Sequence, residues 1–226
     1  MRTAQALLVA VACAASLGAG ERGPAGGALR GTIKVVDSDG AVVSPAGAIV
    51  YIVGFAEEPP RQAATIEQRN RRFVPELVAI TAGQEVSFPN RDALLHNVFS
   101  SSGARPFDLG SYKQGESKRK AFPKLGVIDV YCNIHPEMAA TILVLPNRRW
   151  VRVDDSGRFS LEGVPPGRWT AFAYARLASK PVSAPIEIAD GAATTVDLTI
   201  VRGAAQPHSN KYGEAYRDPK AYRRVR

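Results

Sequence analysis

Four side chains of this sequence could together bind a soft or borderline metal ion. Cys132, His135 and Met138 bring a thiol, an imidazole and a thioether to one stretch of seven residues. A thiolate and two imidazoles in a plane, with a weak axial thioether, form the copper site of blue electron-transfer centres. The stretch lacks only a second histidine, and His96 is the obvious donor. The pattern therefore predicts a copper site made of His96, Cys132, His135 and Met138.

The scarcity of these residue types supports the prediction. The chain has 3 histidines, 2 cysteines and 2 methionines. Met1 is the initiator, Cys13 lies in an apolar N-terminal run, and His208 lies in a polar tail. A small buried thiol beside a core methionine is the commoner explanation for either residue alone. That explanation gives no reason for such scarce residues to cluster.

The Cys-x-x-His-x-x-Met loop, reached through residues 126–131, resembles the ligand loop of cupredoxins, and its short spacing is most similar to that of the amicyanins. The similarity covers residues 63–146. It implies a Greek-key β-sandwich with one type 1 copper per chain, in which Asn97 ties the His96 loop to the cysteine loop. On sequence alone, Asn97 is equally well an ordinary loop amide. Asn133 departs from the family pattern, because many cupredoxins have a hydroxyl residue there.

The predicted loop also indicates how electrons would enter and leave. His135 lies in an exposed loop by prediction, so its outer ring edge is the expected electron port. Leu94, Leu95, Ile134 and Pro136 are apolar and are expected to surround it. They predict a docking patch for a redox protein partner.

The first 20 residues are typical of an export signal, with a charged start at Arg2, an apolar run at 6–17 and small residues at 18–20. No other run approaches the roughly 20 apolar residues of a membrane span. We therefore expect a periplasmic or otherwise exported protein with no integral membrane span. A lipoprotein role for Cys13 is less favoured, because the residues before it are a poor lead-in. Cleavage of the signal would remove Cys13 and leave Cys132 as the only cysteine, so no intrachain disulfide could form. Metal ligation explains this unpaired thiol.

The chain is basic, with a formal net charge of +8, and residues 203–226 contain six basic and two acidic residues. Nucleic acid is the usual partner for such a tail, but export argues against it. We expect a disordered tail that could contact an anionic surface. Basic residues at 69–72 and 118–120 could steer an acidic partner, although such charges usually form a solvated face.

Short apolar runs separated by turn residues, without helical periodicity, predict an all-β chain. Seven or so strands between 63 and 146 suffice for a sandwich. Residues 100–115 are expected to form a long connection without a strand, anchored by Phe107 and Leu109. Near the N-terminus, 29–36 and 47–53 are expected to form a hairpin or an open strand pair.

The last third of the chain resembles the carboxypeptidase regulatory-like, or transthyretin-like, β-sandwich. It has an Asp-containing turn at 154–157 before Phe159, and then a Pro-Gly turn before an aromatic strand. The opening strands of that family match 31–53. We therefore expect 28–59 and 147–202 to fold together, with the cupredoxin domain 60–146 inserted between them. Two domains in series, with the first strand pair in the copper domain, is the alternative.

These features favour an exported type 1 copper protein that carries single electrons between redox partners. Multicopper oxidases and copper nitrite reductases need many more histidines, so we expect no enzymatic activity. A copper carrier, or a cell-surface interaction module with no redox role, is the alternative. The amicyanin-like loop would imply methylamine utilisation, which the residues themselves do not show.

Overall fold

The computed structural model describes residues 26–103, 106–205 and 207–216. Within these ranges the chain forms eighteen β-strands and no helix, which confirms the all-β fold class. Accordingly, this part of the chain contains no helix of the length and hydropathy that a membrane span requires. The signal peptide predicted at 1–20 lies outside the described residues.

Eight strands lie in the outer parts of the described chain: β1 (Gly27–Asp37), β2 (Val42–Val43), β3 (Ile49–Val53), β14 (Trp150–Arg152), β15 (Arg158–Val164), β16 (Gly167–Tyr174), β17 (Val182–Ile188) and β18 (Ala193–Arg202). Ten strands lie between them: β4 (Ala64–Thr65), β5 (Glu67–Arg69), β6 (Arg72–Val74), β7 (Leu77–Thr81), β8 (Glu85–Pro89), β9 (His96–Ser100), β10 (Phe107–Tyr112), β11 (Ser117–Ala121), β12 (Gly126–Tyr131) and β13 (Ala139–Leu145).

The outer strands form two sheets, each built from both ends of the described chain. One has the order β15-β1-β18, with β2 paired to β1, and the other has the order β14-β3-β16-β17. Strands β1 and β18 run parallel over their whole length. The two sheets share what we call the outer core, whose buried members include Leu29, Ile33, Ile49, Ile52, Phe159, Val164, Ile186 and Ile200.

The expected pairing of 29–36 with 47–53 is wrong. These segments are β1 and β3, and they lie in different sheets. Strand β1 instead turns back onto the short strand β2, which pairs Val35 with Val43. Strand β3 is buried on both faces. Its two edges are hydrogen-bonded to β14 and β16, so β3 is an interior strand of its sheet.

The central strands form a five-stranded sheet, β10-β9-β12-β13-β7, a three-stranded sheet, β11-β8-β4, and the hairpin β5-β6. Their side chains make the central core, which includes Ile66, Phe73, Ile80, Phe88, Val98, Ile128, Val130 and Ile142.

The expectation that 100–115 contains no strand is also wrong, because β10 lies within it. Its pairing with β9 is irregular between Asp108 and Ser111, where Gly110 has a φ of 69°. This interruption breaks the apolar alternation that would have indicated a strand. Phe107 and Leu109 pack against the central core, as expected of anchors.

The parallel pair β7 and β13 positions the end of the ligand loop. Parallel pairs need cover on both faces, and this one has it. Alternate side chains enter the two cores: Val78, Ile80, Ile142 and Val144 the central one, and Leu77, Ala79, Leu143 and Leu145 the outer one. Residues 132–138, which we call the cysteine loop, join β12 to β13. The loop therefore runs directly into a strand that is fixed between two cores.

Candidate metal centre

Three of the four predicted ligand residues meet at one point. One nitrogen or sulfur atom each from His96, Cys132 and His135 lies within 4.8 Å of the others. The two histidine Nδ1 atoms are 3.0 Å apart, and Cys132 Sγ is 3.7 Å from His135 Nδ1. His96 and Cys132 are buried, whereas His135 is half-buried. The cluster is therefore nearest to solvent at His135.

Backbone hydrogen bonds close the cysteine loop and surround its sulfur. The Cys132 N–H donates to the Met138 carbonyl at 3.2 Å, and the Met138 N–H donates to the His135 carbonyl at 3.1 Å. Cys132 Sγ accepts the N–H groups of Asn97 and Ile134, each at 3.5 Å. Burial raises the pKa of the Cys132 thiol, and these N–H groups oppose the rise without cancelling it. The sulfur therefore keeps its proton until a metal ion displaces it.

His135 and Met138 occupy different environments in the same loop. Burial lowers the pKa of His135, and the neighbouring His96 and Arg71 lower it further. The imidazole is therefore neutral near pH 7, the form that binds metal ions. Met138 is fully buried and belongs, like Cys132, to the central core.

A half-buried carboxylate, absent from the sequence-based prediction, orients His96. Asp92 Oδ2 lies 2.8 Å from His96 Nε2. Asp92 also accepts the N–H groups of Asn70 at 2.6 Å and Arg71 at 2.8 Å. These two residues have φ values of 54° and 55° and form the two-residue turn of the β5-β6 hairpin. The sequence could have indicated this role only through the position of Asp92, four residues before His96. The groups that hold Asp92 come from the Asn70–Arg71 turn, which is distant in sequence.

The Asp92 contact determines which nitrogen of the His96 ring carries the hydrogen. Burial tends to raise the pKa of Asp92, but hydrogen bonds from Arg71, His96 and Asn70 outweigh it and leave that pKa below its ordinary value. An ionised Asp92 can only accept, so His96 Nε2 carries the hydrogen. In the neutral ring, Nδ1 then presents its lone pair to Cys132 and His135.

Asn97 connects the strand that carries His96 to the cysteine loop. Its side-chain oxygen accepts the Asn133 N–H at 3.3 Å, and its Nδ2 donates to Asp108 Oδ1 at 2.7 Å. Its backbone N–H donates to the Cys132 sulfur. The two chain segments that supply the cluster are thus joined by two hydrogen bonds of Asn97, and Asp108 on β10 holds its side-chain amide.

The prediction that 203–226 is disordered is wrong for residues 207–216. We call these ten residues the C-terminal strap. These residues lie on the cysteine loop, where His208 bonds Pro136, Lys211 bonds Asn133 and Tyr216 bonds Cys132. Composition alone predicts disorder here because few apolar side chains are present. Specific polar contacts hold the strap instead. Residues 217–226 lie outside the described part.

The surface beside His135 carries apolar and paired charged side chains. Leu94, Leu95 and Ile134 are 47, 56 and 36% exposed. Pro136 is half-buried, and its carbonyl is occupied by the strap. The nearby arginines are engaged in ion pairs: Arg69 and Arg91 with Glu67, Arg71 with Glu137, and Arg72 with Glu76.

The donor set selects among metal ions. A buried thiolate and two imidazole nitrogens suit copper or zinc, whereas magnesium and calcium prefer oxygen ligands. Asp92 faces the far ring nitrogen of His96. His96, Cys132 and His135 therefore fit a soft or borderline ion with His96 already oriented toward it.

No protein-family model matches the chain, and no curated protein sequence matches it at a significant level. Among solved structures, a Cu(I) mutant of amicyanin is similar at 19% identity and a TM-score of 0.35, covering 42% of this chain and 97% of that one. A purple cupredoxin from Nitrosopumilus maritimus is similar at 22% identity and a TM-score of 0.33, covering 36% of this chain and 98% of that one. Because these likenesses are distant, we infer function from the chain's own residues.

Proposed function

We propose that this chain is an exported type 1 copper protein that carries single electrons between redox partners. One copper ion per chain would be held by His96, Cys132, His135 and Met138. The observation that supports this most strongly is the meeting of the first three, two of them buried and His135 half-buried, with two N–H groups directed at the sulfur. Bound copper would supply the one-electron couple at this position.

The protein's part in electron transfer would be to keep these side chains in nearly one arrangement. Asp92 holds the far side of His96, and the turn of the β5-β6 hairpin holds Asp92. Asn97 joins the two ligand-bearing segments. The cysteine loop continues into β13, which is packed on both faces. Each of these restraints opposes movement when the charge of the centre changes, so little reorganisation would accompany transfer.

His135 is the expected contact point for the redox partner, because it is the member of the cluster nearest to solvent. Ile134 precedes His135 in the chain, Leu94 and Leu95 precede His96, and all three are exposed, so they would form most of the apolar docking patch. Pro136 would contribute its ring, since its carbonyl is already bonded to the strap. The partner would then be a redox protein with an apolar contact surface.

We further infer the domain division 28–59 plus 147–202, with 60–146 inserted. Two sheets support it, because each combines strands from both ends of the described chain: β1 with β15 and β18, and β3 with β14 and β16. The first 20 residues support export to the periplasm or beyond. The basic tail supports contact with an anionic surface.

Replacing Asp92 by asparagine should weaken copper binding by about 10-fold to 100-fold, the usual effect of losing the partner of a metal-bound histidine. The substitution should also raise the reduction potential. The carboxylate makes His96 a stronger donor and so favours Cu(II), and an amide does this less well. Competition with a copper chelator and voltammetry measure the two effects.

The matched control is Asp155→Asn, which removes the same charge from an exposed position in the turn before β15. It should change neither affinity nor potential. Equal potentials for Asp92→Asn, Asp155→Asn and the unmodified chain would contradict the role assigned to Asp92.

Copper affinity should rise with pH across the neutral range. The raised pKa of Cys132 means that the metal-free protein holds a proton on the thiol, which copper must displace. Raising the pH removes that competition, and the effect should end above the folded pKa of the thiol. The lowered pKa of His135 removes imidazole protonation as the main competitor near pH 7. Titration calorimetry in buffers of different ionisation enthalpy should show about one proton released per copper bound.

Reversible voltammetry of the copper-loaded protein tests the proposed function. An electron carrier should show a one-electron wave, with one electron per chain and no loss of metal over repeated cycles. A copper carrier should release Cu(I) to a chelator within the same cycles. Loss of metal on reduction would contradict the electron-transfer proposal and favour the carrier alternative.

A further inference from the structure

The C-terminal strap is attached to the part of the chain that carries three of the proposed ligands. His208 Nε2 lies 2.8 Å from the Pro136 carbonyl oxygen. The Tyr216 hydroxyl donates to the Cys132 carbonyl at 2.9 Å. The Lys211 N–H donates to Asn133 Oδ1 at 2.9 Å. All three attachments fall between positions 132 and 136 of the cysteine loop.

Ring contacts reinforce these bonds beside the cysteine. The His208 ring stacks on Tyr131, with centroids 4.0 Å apart. The Tyr216 ring meets His208 edge-on, with centroids 5.2 Å apart, and its hydroxyl lies 3.2 Å from His208 Nδ1. A carbonyl oxygen can only accept, so the Tyr216 hydroxyl is the donor to Cys132.

The strap has its own folded turn. Asn210 Oδ1 accepts the N–H groups of Tyr212 at 2.9 Å and Glu214 at 3.0 Å, and the Asn210 N–H donates to the Glu214 carbonyl at 2.8 Å. Gly213 has a φ of 81°, a conformation that favours glycine. The turn brings Tyr216 back to His208, so both rings reach the cysteine loop together.

A salt bridge joins the strap to the residues around the sulfur. Lys211 Nζ lies 2.6 Å from Asp108 Oδ2. Asp108 also accepts from Asn97, which bonds Asn133 and the Cys132 sulfur. The strap is therefore connected to the cluster from both the loop side and the β9 side.

A metal ion held between His96 and the cysteine loop would be freed if the loop moved away from His96. That movement would displace the carbonyl groups of Cys132 and Pro136, and with them the strap bonds. We propose, resting on the proposed function, that residues 207–216 hold the cysteine loop closed and slow copper release, with His208 and Tyr216 as positioning residues. A strap that slows copper release favours an electron carrier, which keeps its copper, over a copper carrier, which must release it.

Two deletions test the strap. Removing 207–226 should speed transfer of Cu(I) to a chromogenic chelator by at least about 10-fold, since several hydrogen bonds are lost together. Removing only 217–226 should leave the rate unchanged. The visible spectrum of the copper-loaded protein should be the same in both, because no proposed ligand is removed. Equal release rates for the two deletions would overturn the proposal.

Point variants keep the test decisive if the long deletion does not fold. Tyr216→Phe removes one hydroxyl and should speed release by about 5-fold, the net value of one hydrogen bond. Tyr212→Phe makes the same chemical change on a ring that is 70% exposed and should have no effect. A Tyr216→Phe rate equal to that of Tyr212→Phe would overturn the assignment of Tyr216.

Hydrogen exchange on the metal-free protein separates this proposal from the proposed function. The Cys132 and Met138 amides donate across the loop and should exchange faster in Tyr216→Phe than in Tyr212→Phe. This result needs no copper. If the full chain formed no type 1 centre, the proposed function would fail, while faster exchange would still support the strap and unchanged exchange would refute it.

Discussion

Replacing His96 by alanine should reduce copper affinity by more than about 100-fold, beyond the upper range for loss of an outer partner. His96 is fully buried, and its ring is already oriented by Asp92 toward Cys132 and His135. Of the other two histidines, His135 is already a proposed ligand, and His208 is engaged by Pro136 and Tyr216. Competition titration with a copper chelator measures the loss.

Val98→Ala is the matched control for His96→Ala. Val98 lies on the same strand, is fully buried in the central core, and leaves a cavity without removing a nitrogen donor. It should lower stability but keep copper affinity within a few-fold, because it removes apolar packing and no metal donor. Equal affinity losses in both variants would show that packing, and not ligation, explains the effect of His96→Ala.

The second large effect concerns the strand that fixes the cysteine loop. Leu143→Ala should lower the free energy of unfolding by about 2–5 kcal/mol, the usual cost of truncating a buried leucine. Leu143 is 2% exposed and lies in the outer core, although β13 belongs to the central sheets. Denaturant unfolding followed by circular dichroism measures the change.

Leu94→Ala is the control for Leu143→Ala, because Leu94 is 47% exposed. It should change the free energy of unfolding by no more than about 0.5 kcal/mol. A loss below about 1 kcal/mol in Leu143→Ala would contradict the inference that β13 depends on the outer core.

Much of the strand pattern could be predicted because it rests on local alternation and turn residues. The sequence predicts an all-β chain, and the described residues form eighteen strands and no helix. The meeting of His96, Cys132 and His135 could also be anticipated, because few residues of these types exist in the chain. That they bind copper, with Met138 as the fourth ligand, stays a prediction.

What could not be predicted depends on partners distant in sequence. Strands β1 and β3 are close along the chain, but burial of both faces of β3 places them in different sheets. Asp92 reads as a turn residue until the Asn70–Arg71 turn is placed against it. The strap reads as disordered because polar contacts, and not apolar burial, hold it.

The most direct test of the copper proposal is a visible absorption spectrum of the protein during titration with cupric ion, followed by reduction with ascorbate. We predict an intense blue or green band that saturates at one copper per chain, bleaches on reduction and is absent in Cys132→Ala. A colourless protein, or a band that persists in Cys132→Ala, would contradict the assignment of Cys132 as the ligand of a type 1 centre.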